Sequence, residues 1–209
     1  MLIEDNAHSL INDSKNNNDY FDFSISSPRK NLNLFSGGSL TTKNFELDLS
    51  KISKYPIKPH QALQKYHNKK FQNIKLILKK NLFRRPKYED NFEAERPIKD
   101  YLIDDYSKKT LLNFDLKTLR LNKIKKFNYW NNFALINNLK PIFANIENDN
   151  LCPWCCPVYA NSKEETIHWY KWGWRKGIFV YSWPNLIKES LNDEKLILRR
   201  ERLICFSTN

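Results

Sequence analysis

The first fifty residues hold three short β-type runs, and this constrains the fold more than any other stretch of the chain. Met1 to Glu4 and Tyr20 to Ser26 flank a polar loop at Asn12 to Asn18. Pro28 ends the second run, and its missing N–H forces a turn that presents Lys30. Gly37-Gly38 and the β-branched pair Thr41-Thr42 then mark a third strand. Three strands cannot form a sheet that buries both faces, so this stretch is expected to be one part of a larger parallel core.

Further along, helical periodicity takes over. Leu63, Tyr66, Ile74, Ile77, Leu78 and Leu82 recur at helical spacing between lysines and predict a helix over Gln61 to Phe83, ended by Pro86. Lys87 to Tyr106 has no clear period. A second helix is predicted from Leu116 to Asn138, with Leu119, Ile124, Phe127, Trp130, Phe133 and Ile136 on its buried side. Next come strands near Pro141 to Asn145 and Trp154 to Ala160, a helix from Lys163 to Trp172, and a strand from Ile178 to Ser182. Pro184 to Leu191 reads as a turn or short helix, and Asp193 to Cys205 as a closing helix. There is no internal repeat.

The formal charge is +12, and it is unevenly distributed. Residues 1 to 50 carry four basic and seven acidic groups, so the remainder carries +15; residues 51 to 88 hold twelve Lys or Arg and no acid. Such a block attracts phosphate backbones or anionic headgroups. With 26 Lys and 26 Asn against nine Arg and four Gly, however, the basicity reads mainly as compositional background of an AT-rich coding sequence. No secretory signal opens the chain, and no window reaches the roughly 20 apolar residues of a membrane span. Four cysteines in 209 residues do not make a disulfide framework. A cytoplasmic protein without membrane attachment is expected.

Two motifs invite chemistry. Cys152-Pro-Trp-Cys155-Cys156 has the spacing of a thiol pair or half a zinc site, but only Cys205 and His168 offer further ligands, and Pro157-Val158-Tyr159 reads as strand. Small apolar core residues are the better reading, with no metal. His168-Trp169-Tyr170-Lys171-Trp172-Gly173-Trp174-Arg175-Lys176 interleaves aromatics with cations as a single-stranded nucleic-acid surface does. It fits equally an amphipathic helix whose tryptophans cover the sheet, and packing is favoured. A basic, Trp-rich nucleic-acid-binding module is kept as the alternative function.

The third constellation is Asp5-Asn6-Ala7-His8, then Ser24, Ser26 and Ser27, then Lys30, then Gly37-Gly38. In this order and setting it resembles the DegT/DnrJ/EryC1/StrS family of aminotransferases. KIKKFNYWNNF, CPWCCPVYA, IFVYSWPNL and KLILRRERLICF follow the order of that family's later segments, so the likeness covers almost the whole chain.

The resemblance implies pyridoxal 5'-phosphate as cofactor and an α/β fold, the C-terminal part of a fold type I transferase. Residues 1–50 would be a remnant of the cofactor-binding large domain, 51–115 connecting helices, and 116–209 a small C-terminal α+β domain. Asp5 would pair with the pyridinium nitrogen, His8 would contact the ring, Ser27 the phosphate, with Ser24 and Ser26 close rivals, and Lys30 would form the Schiff base. The family's members commonly aminate nucleotide-linked keto sugars with an amino-acid donor and are usually homodimers. They begin well over a hundred residues before the Asp-x-Ala-His element and continue past the equivalent of Asn209. The chain is therefore expected to be a fragment with weak or no catalysis.

Overall fold

The computed structural model describes residues 1–6, 21–32, 34–42, 46, 48–57, 101–148, 151–182, 186 and 192–208. They belong to two compact units, the first built from Met1–Lys69 and Pro97–Thr118, the second from Lys70–Arg96 and Leu119–Asn209. The helix expected over Gln61 to Phe83, the Asn12 to Asn18 loop and most of Pro184 to Leu191 lie outside the described residues.

The first unit carries a three-stranded sheet in the order β1-β2-β3, with β1 at Ile3–Asn6, β2 at Phe23–Ser26 and β3 at Ser39–Thr42. β1 and β2 are parallel, in a register that sets Asp5 against Ile25 and Asn6 against Ser26. β3 returns antiparallel to β2. Its alternation is the reverse of a simple amphipathic sheet. Ser24 and Ser26 are buried, whereas Ile3, Ile25 and Leu40 are exposed. The buried hydroxyls are satisfied within the sheet: Asn6 Nδ2 donates to Ser24 Oγ at 3.2 Å, and the Ser26 and Ser39 hydroxyls lie 2.6 Å apart.

Helix α1, Asp105–Asn113, follows the aperiodic stretch, and its start is set by a polar ring. Asp104 caps it, Oδ1 accepting from Ser107 N at 2.7 Å. Ser36 Oγ donates to Asp104 Oδ2 at 2.6 Å and accepts from Asp104 N at 3.0 Å, while Ser107 Oγ accepts from Phe35 N at 2.9 Å. The cap therefore ties the loop before β3 to the helix. Phe35 packs edge-on against Tyr106 beside it. Helix α2, Leu116–Ile136, occupies nearly the predicted span.

The second unit is an antiparallel sheet in the order β4-β5-β7-β6, with β4 at Lys140–Pro141, β5 at Cys155–Tyr159, β6 at Val180–Ser182 and β7 at Leu203–Ser207. Helices α3, Lys163–Lys176, and α4, Glu194–Arg202, join its last three strands. β5 and β6 are both antiparallel to β7, which lies between them, so β5-α3-β6 is a split β-α-β unit. Phe127, Trp130 and Ala134 of α2 meet Cys156, Val158, Val180, Ile204 and Phe206 in the core. Trp130 stacks on Phe206 at 4.9 Å, and its Nε1 donates to Ser207 O at 3.0 Å. The aromatic thus buries its ring and still satisfies its polar edge.

Four expectations need correction. The closing helix stops at Arg202, and Leu203–Ser207 is a central strand, because this short apolar run is completed by pairing on both edges. The strand near Pro141 to Asn145 shrinks to Lys140–Pro141. Helix α3 runs four residues past Trp172, since its stop is Gly177 at φ 72, not Gly173. Ile136 is 81 % exposed, at the last turn of α2 and off the packed face. The chain is a mixed α/β protein. Among the described residues no helix is long and apolar enough to cross a membrane.

Gly173 is needed for close approach. A Cβ there would lie 2.3 Å from Val180 Cγ2 and 3.0 Å from Ile178 O. Ala in a helix interior gains up to about 1 kcal/mol over Gly, but overpacking a stiff, buried valine costs about 1–3 kcal/mol. Gly173→Ala is expected to lower the urea midpoint, not raise it.

Burial by itself would raise the Asp104 carboxyl, but hydrogen bonds from Ser107 and Ser36 outweigh it and hold the group below the usual carboxylate range. Its contribution is fully present above the unfolded pKa, near 3.9, and is lost as pH falls through the lower folded value. Asp104→Ala is expected to destabilise by about 1–3 kcal/mol at neutral pH. In chemical denaturation the gap from wild type should narrow on acidification below that range.

Candidate functional site

Parallel strands end at the same edge of a sheet, and in open α/β sheets that edge is where ligands bind. The register of β1 and β2 therefore groups the residues singled out from sequence. Asp5, exposed, is the penultimate residue of β1, and β2 runs past it into Ser27 and a single 3-10 turn, Pro28–Lys30. Lys30 is the last residue of that turn, whose following amides, Asn31 N and Leu32 N, donate to Pro28 O at 3.0 and 2.8 Å. Pro28 is buried and anchors the turn. His8 lies outside the described residues.

The three serines are not equivalent. Ser24 and Ser26 spend their hydroxyls inside the sheet, on Asn6 and Ser39. Ser27 lies beyond the strand, half-buried, and its side chain makes no capping hydrogen bond to the turn it precedes. The glycine pair is explained by space. Gly37 sits at φ 120, and a Cβ there would come within 2.9 Å of Ile103 Cδ1, while one on Gly38 would lie 3.3 Å from Ser26 O.

The cysteines form a second cluster in the other unit. Cys156 belongs to the core face of β5, its Sγ donating to Asn131 Oδ1 at 3.7 Å, and burial pushes its thiol up to about 12. Cys155 points to the opposite face, as does Cys205 of the adjacent strand; the neighbouring Cys155 thiol and burial raise the Cys205 thiol well above its ordinary value. Lys123 of α2 is 2 % exposed and lies beside Cys152 and Cys155. Burial lowers its pKa, with the two thiols opposing that shift. Nothing in the sequence pattern flagged Lys123, because it occupies a helical position next to four other cations. Among the described residues no three His, Cys, Asp or Glu side chains are grouped to hold a metal ion.

The aromatic-basic segment does not present a stacking surface. Trp169 and Trp172 pack against the core with Phe133, whose ring lies 5.5 and 5.4 Å from theirs. Trp174 turns to Phe179 and Tyr170. No protein-family model matches the chain, and no curated protein or solved structure is detectably similar to it.

The two buried thiols, Cys156 and Cys205, are expected to resist alkylation, since only thiolates react quickly. Under native conditions at about pH 8, iodoacetamide should label the partly exposed Cys155 first and Cys152, whose thiol burial also raises, more slowly, with all four reacting only after denaturation. Peptide mass mapping over time checks the order.

Proposed function

We propose that the chain carries the carboxylate, serine and lysine portion of a pyridoxal-phosphate-dependent aminotransferase site of the DegT/DnrJ/EryC1/StrS type, within a fold type I large-domain sheet, acting in the cytoplasm on a keto substrate such as a nucleotide-linked sugar with an amino-acid donor. The observation that carries this reading is the parallel pairing of β1 with β2, which brings Asp5 and the Ser27–Lys30 turn to one sheet edge. An enzyme of this kind needs a carboxylate, a hydroxyl and an amine that converge from different strands. The available hydroxyl of Ser27 fits a phosphate, and the exposed Asp5 side chain fits a protonated ring nitrogen.

Bound there, the cofactor supplies an electron sink that no amino-acid side chain provides. The chain's own residues do the rest. Asp5 would hold a proton on the ring nitrogen by an ion pair, Ser27 would donate to the phosphate, and Lys30 would give the covalent attachment. The Lys30 amine, once free, would act as the base toward the donor's alpha carbon.

The test is site selectivity among 26 lysines. After mixing with pyridoxal phosphate and fixing with borohydride, peptide mapping should place the adduct predominantly on Lys30. Lys30→Ala should lose it, and Asp5→Ala should weaken binding by roughly tenfold or more, the scale of a lost charge-assisted contact. An adduct spread evenly over surface lysines would defeat the reading.

A further inference from the structure

We propose that Cys155 and Cys205 are a reversible redox pair, two thiols on facing strands that a small-molecule disulfide converts into a cross-strand bridge between β5 and β7. The register sets Cys155 opposite Ser207 and Cys205 opposite Pro157, so the two cysteines are diagonal neighbours on one face of the sheet. The other cysteines are less well placed. Cys156 faces the core on the opposite side of the same strand, and Cys152 precedes the strand, separated from Cys155 by Pro153 and Trp154.

The two partners have different roles. Cys155 is half-exposed at the first residue of its strand, whereas Cys205 is fully buried in the central one. Cys155 is therefore the thiol an oxidant reaches. The Cys155 sulfur attacks one sulfur of the oxidant, forming a mixed disulfide; the other half leaves as a thiolate and takes up the proton that Cys155 gave. Cys205 Sγ then attacks Cys155 Sγ, breaking the mixed bond, and the second thiol leaves with the Cys205 proton. In total two cysteine thiols lose two protons and two electrons, and one disulfide becomes two thiols.

Diagonal neighbours on paired strands stand farther apart than directly opposed ones. A bridge between them pulls the strands out of their relaxed spacing, which makes it easy to reduce and suits it to a switch, not a permanent staple.

The full-length chain is equilibrated in glutathione buffers of graded ratio, quenched in acid, alkylated and digested without reduction for mass spectrometry. A Cys155–Cys205 linked peptide is expected, removed by dithiothreitol, retained in Cys152→Ser and absent in Cys155→Ser. Cys205→Ala should leave glutathione on Cys155, raising the mixed disulfide by roughly tenfold over wild type because the resolving thiol is gone. The wild-type map does not depend on how that variant folds. A Cys152–Cys155 bridge, a mixed disulfide that persists in wild type, or four thiols that stay reduced at the most oxidising ratio would each overturn the proposal.

Discussion

The parallel pairing of β1 with β2 is the constraint on which the candidate site depends. Parallel strands cannot be joined by a tight turn and need a connection of about a dozen residues or more. Sixteen residues, 7 to 22, separate Asn6 from Phe23, enough for that return. Antiparallel pairing of the same two strands would send Asp5 and Lys30 to opposite edges. Strand direction thus brings Asp5 and the turn ending at Lys30, 25 positions on, to the same end of the β1-β2 pair. The polar contacts then fix the details: Asn6 bridges to Ser24 and Ser26 to Ser39, so a one-residue slip would turn the serines out and leave the asparagine without its partner.

Legibility from sequence varied with the kind of signal. Helix α2 was readable because its apolar residues repeat at helical spacing, and Phe127 and Trp130 do reach the core. Its buried Lys123 and Asn131 were not readable, since polar residues on that face look like surface until the thiols and loop carbonyls they meet are known. β7 was read as helix because Leu203 to Phe206 continues an amphipathic run without a glycine or proline break. Only the vacancy between β5 and β6 makes it a strand. Helix α1 went unrecognised, although Asp104 with Ser107 three residues on is a capping signal; its short apolar content hid it. In the candidate site, Asp5, Ser27 and Lys30 follow from motif order alone, and no periodicity or burial pattern singles them out.

The second unit shows how a chain with only four glycines handles close packing. One is used inside α3, at Gly173, where the helix meets Val180, and another ends the helix at Gly177 in a left-handed conformation. Glu165 and Ser162 secure the other end: Ser162 Oγ accepts from Glu165 N at 3.2 Å, and Glu165 Oε2 accepts from Asn161 N at 2.7 Å. With acids in the first turn and Arg175 and Lys176 in the last, the helix charges complement its dipole. This local agreement fixes α3 over the sheet so that its tryptophans pack inward, and the basic side chains between them remain a solvated fringe.

The inverted polarity of the first sheet bears on the chemistry proposed for it. Ile3, Ile25 and Leu40 share a face with Asp5, since the register pairs Asp5 with Ile25 and Ile25 with Leu40. A carboxylate set among apolar side chains is attracted more strongly to a cation than the same carboxylate in open water, because the intervening medium screens less. An ion pair with a protonated aromatic nitrogen gains doubly on such a face, from the charge and from the flat apolar ring covering the exposed isoleucines and leucine. The serine face offers neither, its hydroxyls bonding to Asn6 and to one another. A ring ligand and a carboxylate partner thus favour the same side of the sheet, and an inorganic anion, which has no apolar surface to bury and would be repelled by Asp5, is selected against there.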